Sequence, residues 1–505
     1  MTVELLNGLD HVRRSINGSS CRQKRSEIGQ FLTPASIARF MASLLSYKGE
    51  NIRILDPGAG AGVLFAACVD ILTSRDSHVH SIEVVAYEND SAILSVLGET
   101  MRCCEESCQQ AGIVFRCEIR PTDFVEDGLA RTQEGLFSVQ HEWFTHAILN
   151  PPYKKINAQS KTRKLLDAGE IEVSNLYAAF VWLASRMLEP GGELVAITPR
   201  SFCNGPYFRR FRRGLLNIMS LRQIHVFDSR KKAFGDDGVL QENIIYYAIK
   251  EPQKPDRVLV SSSHDASFER IERHNIPYER MVVPEDQDVF IHLIQNNADA
   301  QVMEQMKSYR TSLEELCVEV STGRVVDFRA REHLRTQPNE ETSPLIYPCH
   351  FKGGFVSWPI ESCKKPNAIR CSEITEDLLV PSGYYVLTKR FSSKEERRRV
   401  VAAVYDPSRV ESSLVGFENH LNYFHIKGKG LPPNLAKGLA LYLNSSHFDR
   451  YFRLFSGHTQ VNATDLRKMG YPCREQLLRL GKHLQQRMPD QTNVDAILDA
   501  ECTRR

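Results

Sequence analysis

A chain of 505 residues with 42% hydrophobic content is long enough for two or three domains with sizeable cores. No apolar run approaches the roughly 18 residues that span a bilayer, and no secretory leader is in view, so a membrane or exported protein is excluded and thirteen reduced cysteines in a cytoplasm are expected. The formal net charge of +2 hides an asymmetry: residues 351–490 carry 22 Lys plus Arg against 13 Asp plus Glu, whereas 281–350 carry 6 against 12.

Residues 1–28 are polar and basic (Arg13, Arg14, Arg22, Lys24, Arg25) and read as a helical arm. After a Thr33-Pro34 start signal, Ile37, Ala38, Met41, Leu44 and Leu45 recur at helical spacing. Ile52, Ile54 and Leu55 form a short strand running into Asp56-Pro57-Gly58-Ala59-Gly60-Ala61-Gly62, and an apolar helix follows from Val63 to Leu72. Alternate glycines let the backbone pass close to a ligand and open a helix.

A second strand, Ile82 to Tyr87, ends in Glu88, where a carboxylate would meet the two hydroxyls of a ribose. A third, Val114 to Ile119, leads to Asp123-Phe124, a carboxylate for an exocyclic amine and a ring to lie against its base. Taken singly, Glu88 and Asp123 also read as solvated loop carboxylates. Cys103, Cys104, Cys108 and Cys117 cluster nearby, but their spacing fits no paired zinc module and no metal is expected.

The most informative stretch is Asn150-Pro151-Pro152-Tyr153, at the exit of the apolar run His146 to Leu149. Two prolines lock the backbone. The Asn side chain and the carbonyl behind it offer fixed acceptors to an amino group, and Tyr153 offers a flat face to a planar ring. A strand ending in a Pro-rich turn is the plain alternative.

Leu194 to Thr198 is a further buried strand and Asn243 to Ile249 a late one, read as an antiparallel edge. Strand and helix alternate to about Lys250, which predicts a doubly wound α/β sheet with ligands at the carboxyl ends of its strands. Glu251 to Asp256 reads as a boundary. Beyond it, strands at Val380 to Leu387 and Val415 to Ile426 mix with helices at Asn434 to Leu443 and Arg474 to Met488.

In this order, Gly29-Gln30-Phe31-Leu32-Thr33-Pro34, Asp56 to Gly62, Glu88, Asp123, Asn150 to Tyr153 and Pro190-Gly191-Gly192 resemble the γ-class, Taq-type adenine-N6 DNA methyltransferases of restriction-modification systems. The resemblance covers the first half of the chain. N-P-P-Y alone also occurs in enzymes that methylate RNA or protein glutamine, and that reading stays open as the alternative.

The resemblance implies a Rossmann-like S-adenosylmethionine-dependent domain at 29–250 and an α+β DNA target-recognition domain at 257–505. It implies Asn150, Pro151, Pro152 and Tyr153 as catalytic, with Tyr153 and Phe234 stacking on a flipped-out adenine. Thr33, Asp56, Pro57, Gly58, Gly60, Glu88, Asp123 and Phe124 would hold the cofactor, with no metal. Asn175 to Tyr177 resembles a later pocket-lining motif, against a plain helix start at Asn175.

The partners implied are double-stranded DNA and a separate restriction endonuclease, in a prokaryotic cytoplasm near the nucleoid. No P-D then D/E-x-K nuclease pattern is present, so the chain reads as a stand-alone methylase. Its two-part layout is similar to Pst-type modification methylases, which would imply a palindromic hexamer as target.

In the second half, Ser456 to Leu466 is rich in short hydrogen-bonding side chains. Gln460 and Asn462 are candidate readers of adenine, unless they cap a helix near Thr464. Lys389, Arg390 and the run from Lys394 to Arg399 read as phosphate contacts or a solvated face. Phe391, Tyr423, Phe424 and Tyr451 are expected in the core.

Overall fold

The computed structural model describes residues 6, 8, 32–74, 78–132, 143–169, 171–227, 242–284, 286–361, 364–392, 396–455 and 460–502. The chain forms two compact units, Met1–Gln295 and Asn296–Arg505.

The first unit opens on helix α1 (Ala35–Leu44) and then alternates β1 (Asn51–Pro57), α2 (Val63–Ser74), β2 (Ser81–Tyr87), α3 (Ser91–Gln110), β3 (Val114–Arg120), α4 (Phe124–Thr132) and β4 (Phe144–Leu149). It continues through α5 (Lys161–Ala168), α6 (Leu176–Met187), β5 (Leu188–Pro199), α7 (Arg209–Ile218), β6 (Met219–Phe227), β7 (Asn243–Lys250), β8 (Arg257–Ser263) and β9 (Ile271–Pro277). Among the described residues these strands make one sheet in the order β3-β2-β1-β4-β5-β7-β6-β8-β9.

Strands β3 to β5 are parallel, as helical crossovers require. Helices α1, α2 and α3 pack together, and α4, α6 and α7 form a second packed set. α2 is apolar nearly all round, with Val63 to Val69 buried, as expected of a helix covered on every side. β3 ends the sheet, and its Val114 is 56% exposed.

Two expectations are corrected here. β7 is antiparallel to β5, but it is not an edge: β6 pairs with its other side, followed by β8 and β9. The segment Glu251 to Asp256 is therefore a link inside one sheet, and the division between units falls between Gln295 and Asn296. Its Pro and charged composition marks a turn, and a turn has the same composition whether or not a domain ends there.

In the second unit a six-stranded sheet has Leu421–His425, Tyr385–Lys389 and Ala402–Tyr405 as inner strands. A five-stranded sheet includes Thr342–Ile346, Leu414–Phe417 and Leu379–Pro381. The run Val380 to Leu387 is thus two strands in two sheets, and so is Val415 to Ile426. Each breaks where backbone groups bond elsewhere: Ser382 N–H donates to Ser413 O (2.8 Å), Glu418 N–H to Ile346 O (3.1 Å) and Asn419 N–H to Val325 O (2.8 Å).

Helices Pro433–Leu443 and Arg474–His483 cross so closely that a Cβ on Gly438 would stand 1.9 Å from Leu477 O. The second of them stops at His483, short of Met488. Tyr423 and Phe424 lie in the core, but Phe391 is 47% exposed and lies against His420 with ring centroids 4.8 Å apart. Cys349 is disulfide-bonded, whereas Cys68, Cys104 and Cys203, among others, are free thiols. A compartment argument speaks for the chain as a whole, and folding can still bring one pair together. No helix among the described residues is long and apolar enough to cross a membrane.

Candidate functional site

The ends of β1, β2 and β4 bring Asp56, Glu88 and Asn150 to one edge of the sheet, because parallel strands all finish on the same side. Between β1 and α2 the glycine loop folds back on β2. Gly58 and Ala59 N–H donate to Tyr87 O (2.9 and 2.8 Å), and Gly60 N–H donates to Glu88 Oε2 (2.9 Å). Gly58 and Gly60 have φ of 107° and 56°, a region that side-chain-bearing residues rarely adopt.

Glu88 is nearly buried, and its Oε1 accepts from Asp90 N–H at 2.7 Å. Burial raises its pKa, and the amides of Asp90 and Gly60 counter part of that shift. Asp56 is fully buried, and the backbone amide of Phe65 is turned toward its carboxylate without reaching close hydrogen-bond geometry. Burial raises its pKa well above the ordinary carboxylate value; the nearby Phe65 amide opposes this and Glu88 adds to it. Such a group calls for a cation or a strong donor from outside the chain.

Asp123 is exposed and holds the start of α4 through Val125 N–H (2.8 Å) and Glu126 N–H (3.1 Å). Phe124 is 2% exposed and packs between Tyr87 and Phe180, with centroids at 4.9 and 5.1 Å. Phe180 also underlies the glycine loop, 3.4 Å from where a Cβ on Gly58 would stand.

At the exit of β4, Asn150 Nδ2 donates to Thr33 Oγ1 (2.9 Å), and its Oδ1 accepts from the Tyr153 hydroxyl (3.0 Å). The side chain is held from both ends. Tyr153 is 7% exposed and meets Tyr177 edge-on at 6.4 Å, and burial raises its pKa. Tyr153 is therefore a wall of the site more than an open platform. The next residues are clamped to the start of α6: Ile156 N–H donates to Ser174 O and Leu176 N–H to Lys154 O, both at 2.9 Å. Asn175 sits at the helix start without a side-chain cap and accepts from Ser174 Oγ.

A second polar group near Tyr153 is not among the residues that the motifs mark. Asn243, Thr198 and Tyr246 are buried; the Asn243 amide has no partner among the described residues, and the Thr198 and Tyr246 hydroxyls face each other. Pro199 pairs with Asn243 across β5 and β7. Tyr246 lies next to Thr198 and near Tyr153, and burial raises its pKa. An Asn opening a strand is common, so no local pattern marks it.

Phe234, Gly29 to Phe31, Lys394 and the 1–28 arm, apart from residues 6 and 8, lie outside the described residues. In the second unit Asn462 takes the capping role: its backbone N–H and Nδ2 both donate to Asp465 Oδ2 (3.3 and 3.2 Å) at the start of helix Ala463–Arg467. Gln460 Oε1 accepts from Arg390 Nη2 (3.3 Å), and Arg390 Nη1 donates to Asn419 O (2.7 Å). Lys389 lines a cavity of about 550 Å³ with Arg398, Arg487 and Asp490.

Residues 119–234 match the family "Eco57I restriction-modification methylase". The chain is 45% identical over 504 residues to the type II methyltransferase M.BsuBI of Bacillus subtilis, covering 98% of each chain. It is 42% identical to the type II methyltransferase M.PstI of Providencia stuartii, covering 97% of this chain and 96% of that one. Among solved structures, the type IIL restriction-modification enzyme MmeI in complex with DNA has a similar fold (TM-score 0.55, 11% identity, 99% of this chain and 74% of that chain). With relatives this similar along almost its whole length, the chain belongs to the type II DNA methyltransferases of restriction-modification systems, in the group of M.BsuBI and M.PstI.

Proposed function

We propose that the chain transfers a methyl group from S-adenosylmethionine to the N6 amine of one adenine in a specific duplex sequence, shielding that sequence from a separate endonuclease. The observation that carries this reading is the Asn150 amide, fixed at the end of β4 by Thr33 and Tyr153. An amide oxygen carries two lone pairs and can accept from more than one donor.

An adenine amine is a poor nucleophile while its lone pair is delocalised into the ring. Asn150 Oδ1 and the Pro151 carbonyl would accept its two protons and favour a pyramidal nitrogen. Such positioning accounts for much of the rate. S-adenosylmethionine, when bound, supplies an electrophilic methyl on a sulfonium. Asp56 fits its ammonium group, being a buried carboxylate with no close hydrogen-bond partner among the described residues. Glu88 would take the ribose hydroxyls, Asp123 the adenine amine, and Phe124 with Phe180 the apolar wall. Thr33, Pro57, Gly58 and Gly60 would frame the methionine side.

A duplex adenine must leave the stack to reach this site. Tyr153, with Phe234 on the opposite face, would hold it. The second unit would select the sequence, with Lys389 and Arg390 on phosphates.

The test is sequencing with base-modification detection on DNA from cells expressing the chain, against Asn150→Ala. Methyladenine at every copy of one short motif, absent in the variant, is the expected result. Unmodified DNA with methylated RNA or protein would overturn it.

A further inference from the structure

The segment joining β5 to α7 carries an aromatic ring in an unusual position. Tyr207 is 80% exposed, while the backbone on both sides of it is fixed. Gly205 N–H donates to Ser201 O (2.9 Å), and Phe208 N–H donates to Gly205 O (3.1 Å). Arg212, itself fully buried, donates from Nη1 to Phe202 O and Gly205 O, both at 2.7 Å, and from Nη2 to Asp288 O at 2.7 Å. Phe208 is 5% exposed and stacks on Tyr177 at 5.6 Å, the same ring that Tyr153 meets edge-on.

This segment leaves the sheet beside the Asn150 motif, since Leu149 of β4 pairs with Ala196 of β5. Lys154 and Lys155, immediately after the motif, are exposed. The segments that leave β4 and β5 side by side thus carry two exposed cations and an exposed ring on a braced turn.

A tyrosine held in water by a buried arginine and a stacked phenylalanine gains nothing from folding. A base stack would cover it. We propose that Tyr207 enters the duplex at the target and stacks against the bases left behind when the adenine swings out. This rests on the reading of the chain as a DNA adenine methyltransferase. Extruding a paired base has a cost, and aromatic wedges offset such costs by taking over lost stacking. Tyr207 is then a positioning residue: it favours the open duplex and touches neither the methyl donor nor the adenine amine.

The experiment measures kcat/KM for wild type, Tyr207→Ala, Tyr207→Phe and Tyr207→Trp on duplexes whose target adenine is correctly paired, mispaired or opposite an abasic site. A weakened pair opens cheaply, so it replaces what the ring supplies. Tyr207→Ala should lose about 10- to 100-fold on the paired duplex. On the mispaired and abasic duplexes it should come within about threefold of wild type. Phe and Trp should retain most activity on all three, and S-adenosylmethionine affinity should not change in any variant. Equal losses on paired and mispaired duplexes, or no loss on the paired one, would overturn the proposal. No transfer to any duplex by the wild-type chain would overturn the DNA reading, and this proposal with it.

Discussion

The strand ends of the first unit and the candidate DNA contacts of the second treat their polar side chains differently. At the strand ends of the first unit Asp56 and Asn243 are buried with side-chain polar atoms that have no close hydrogen-bond partner among the described residues. In the second unit Asn462, Gln460 and Arg390, which the sequence offered as DNA contacts, bond to Asp465, to each other and to Asn419 O, although Arg390 Nε is buried without a partner among the described residues. Leaving a buried polar group unpaired is costly, so it is a stronger sign of a ligand than a cluster of hydrogen-bonding residue types.

The sharpest way to break this contrast is Asn150→Ala. It should lower methyl transfer about a thousandfold or more while S-adenosylmethionine still binds, as read by single-turnover transfer and calorimetry. Near-normal transfer would remove Asn150 from the chemistry. Next is Asp56→Asn, which should weaken S-adenosylmethionine about thirtyfold or more.

The same variant carries a pH signature. Asp56 is buried and its folded pKa is raised, so its contribution to stability is present below the ordinary carboxylate pKa and lost as pH rises through the folded value. The cofactor-free wild type should therefore melt below Asp56→Asn at neutral pH, and the gap should close in acid. A gap independent of pH would mean that the carboxylate finds a partner.

In the second unit, Asn462→Ala should cost about 0.5–2 kcal/mol of stability in denaturant titration and leave the methylated motif unchanged. A relaxed motif would make Asn462 a base reader. Smallest of all, Lys389→Gln should weaken binding to all duplexes by a few fold and reduce the salt slope of log K by about one. A loss restricted to one sequence would contradict a phosphate contact.

Much of the catalytic unit is legible in the sequence because its signals are local. Apolar runs end in loops that carry Asp56, Glu88 and Asn150, and parallel strands carry them to one side. Neighbours within the sheet are not legible: nothing in Asn243 to Ile249 says that β6 covers its far side, because that depends on a pairing made elsewhere. The corners at 382–384 and 418–420 are hidden for the same reason, since strand-forming residues lie on both sides and the break is set by Ile346, Val325 and Ser413. Residue type also misleads at Phe391, an aromatic left half in solvent.

Thr33 holds the Asn150 amide across 117 positions of chain, from in front of the first strand. That arrangement suggests a way to control the enzyme from outside. If the leading residues through Pro34 were supplied as a separate peptide, the sheet that builds the site would be complete in the remaining chain, but the amide would lose its Thr33 anchor. Methylation would then rise and fall with the peptide's concentration, giving a tunable modification enzyme.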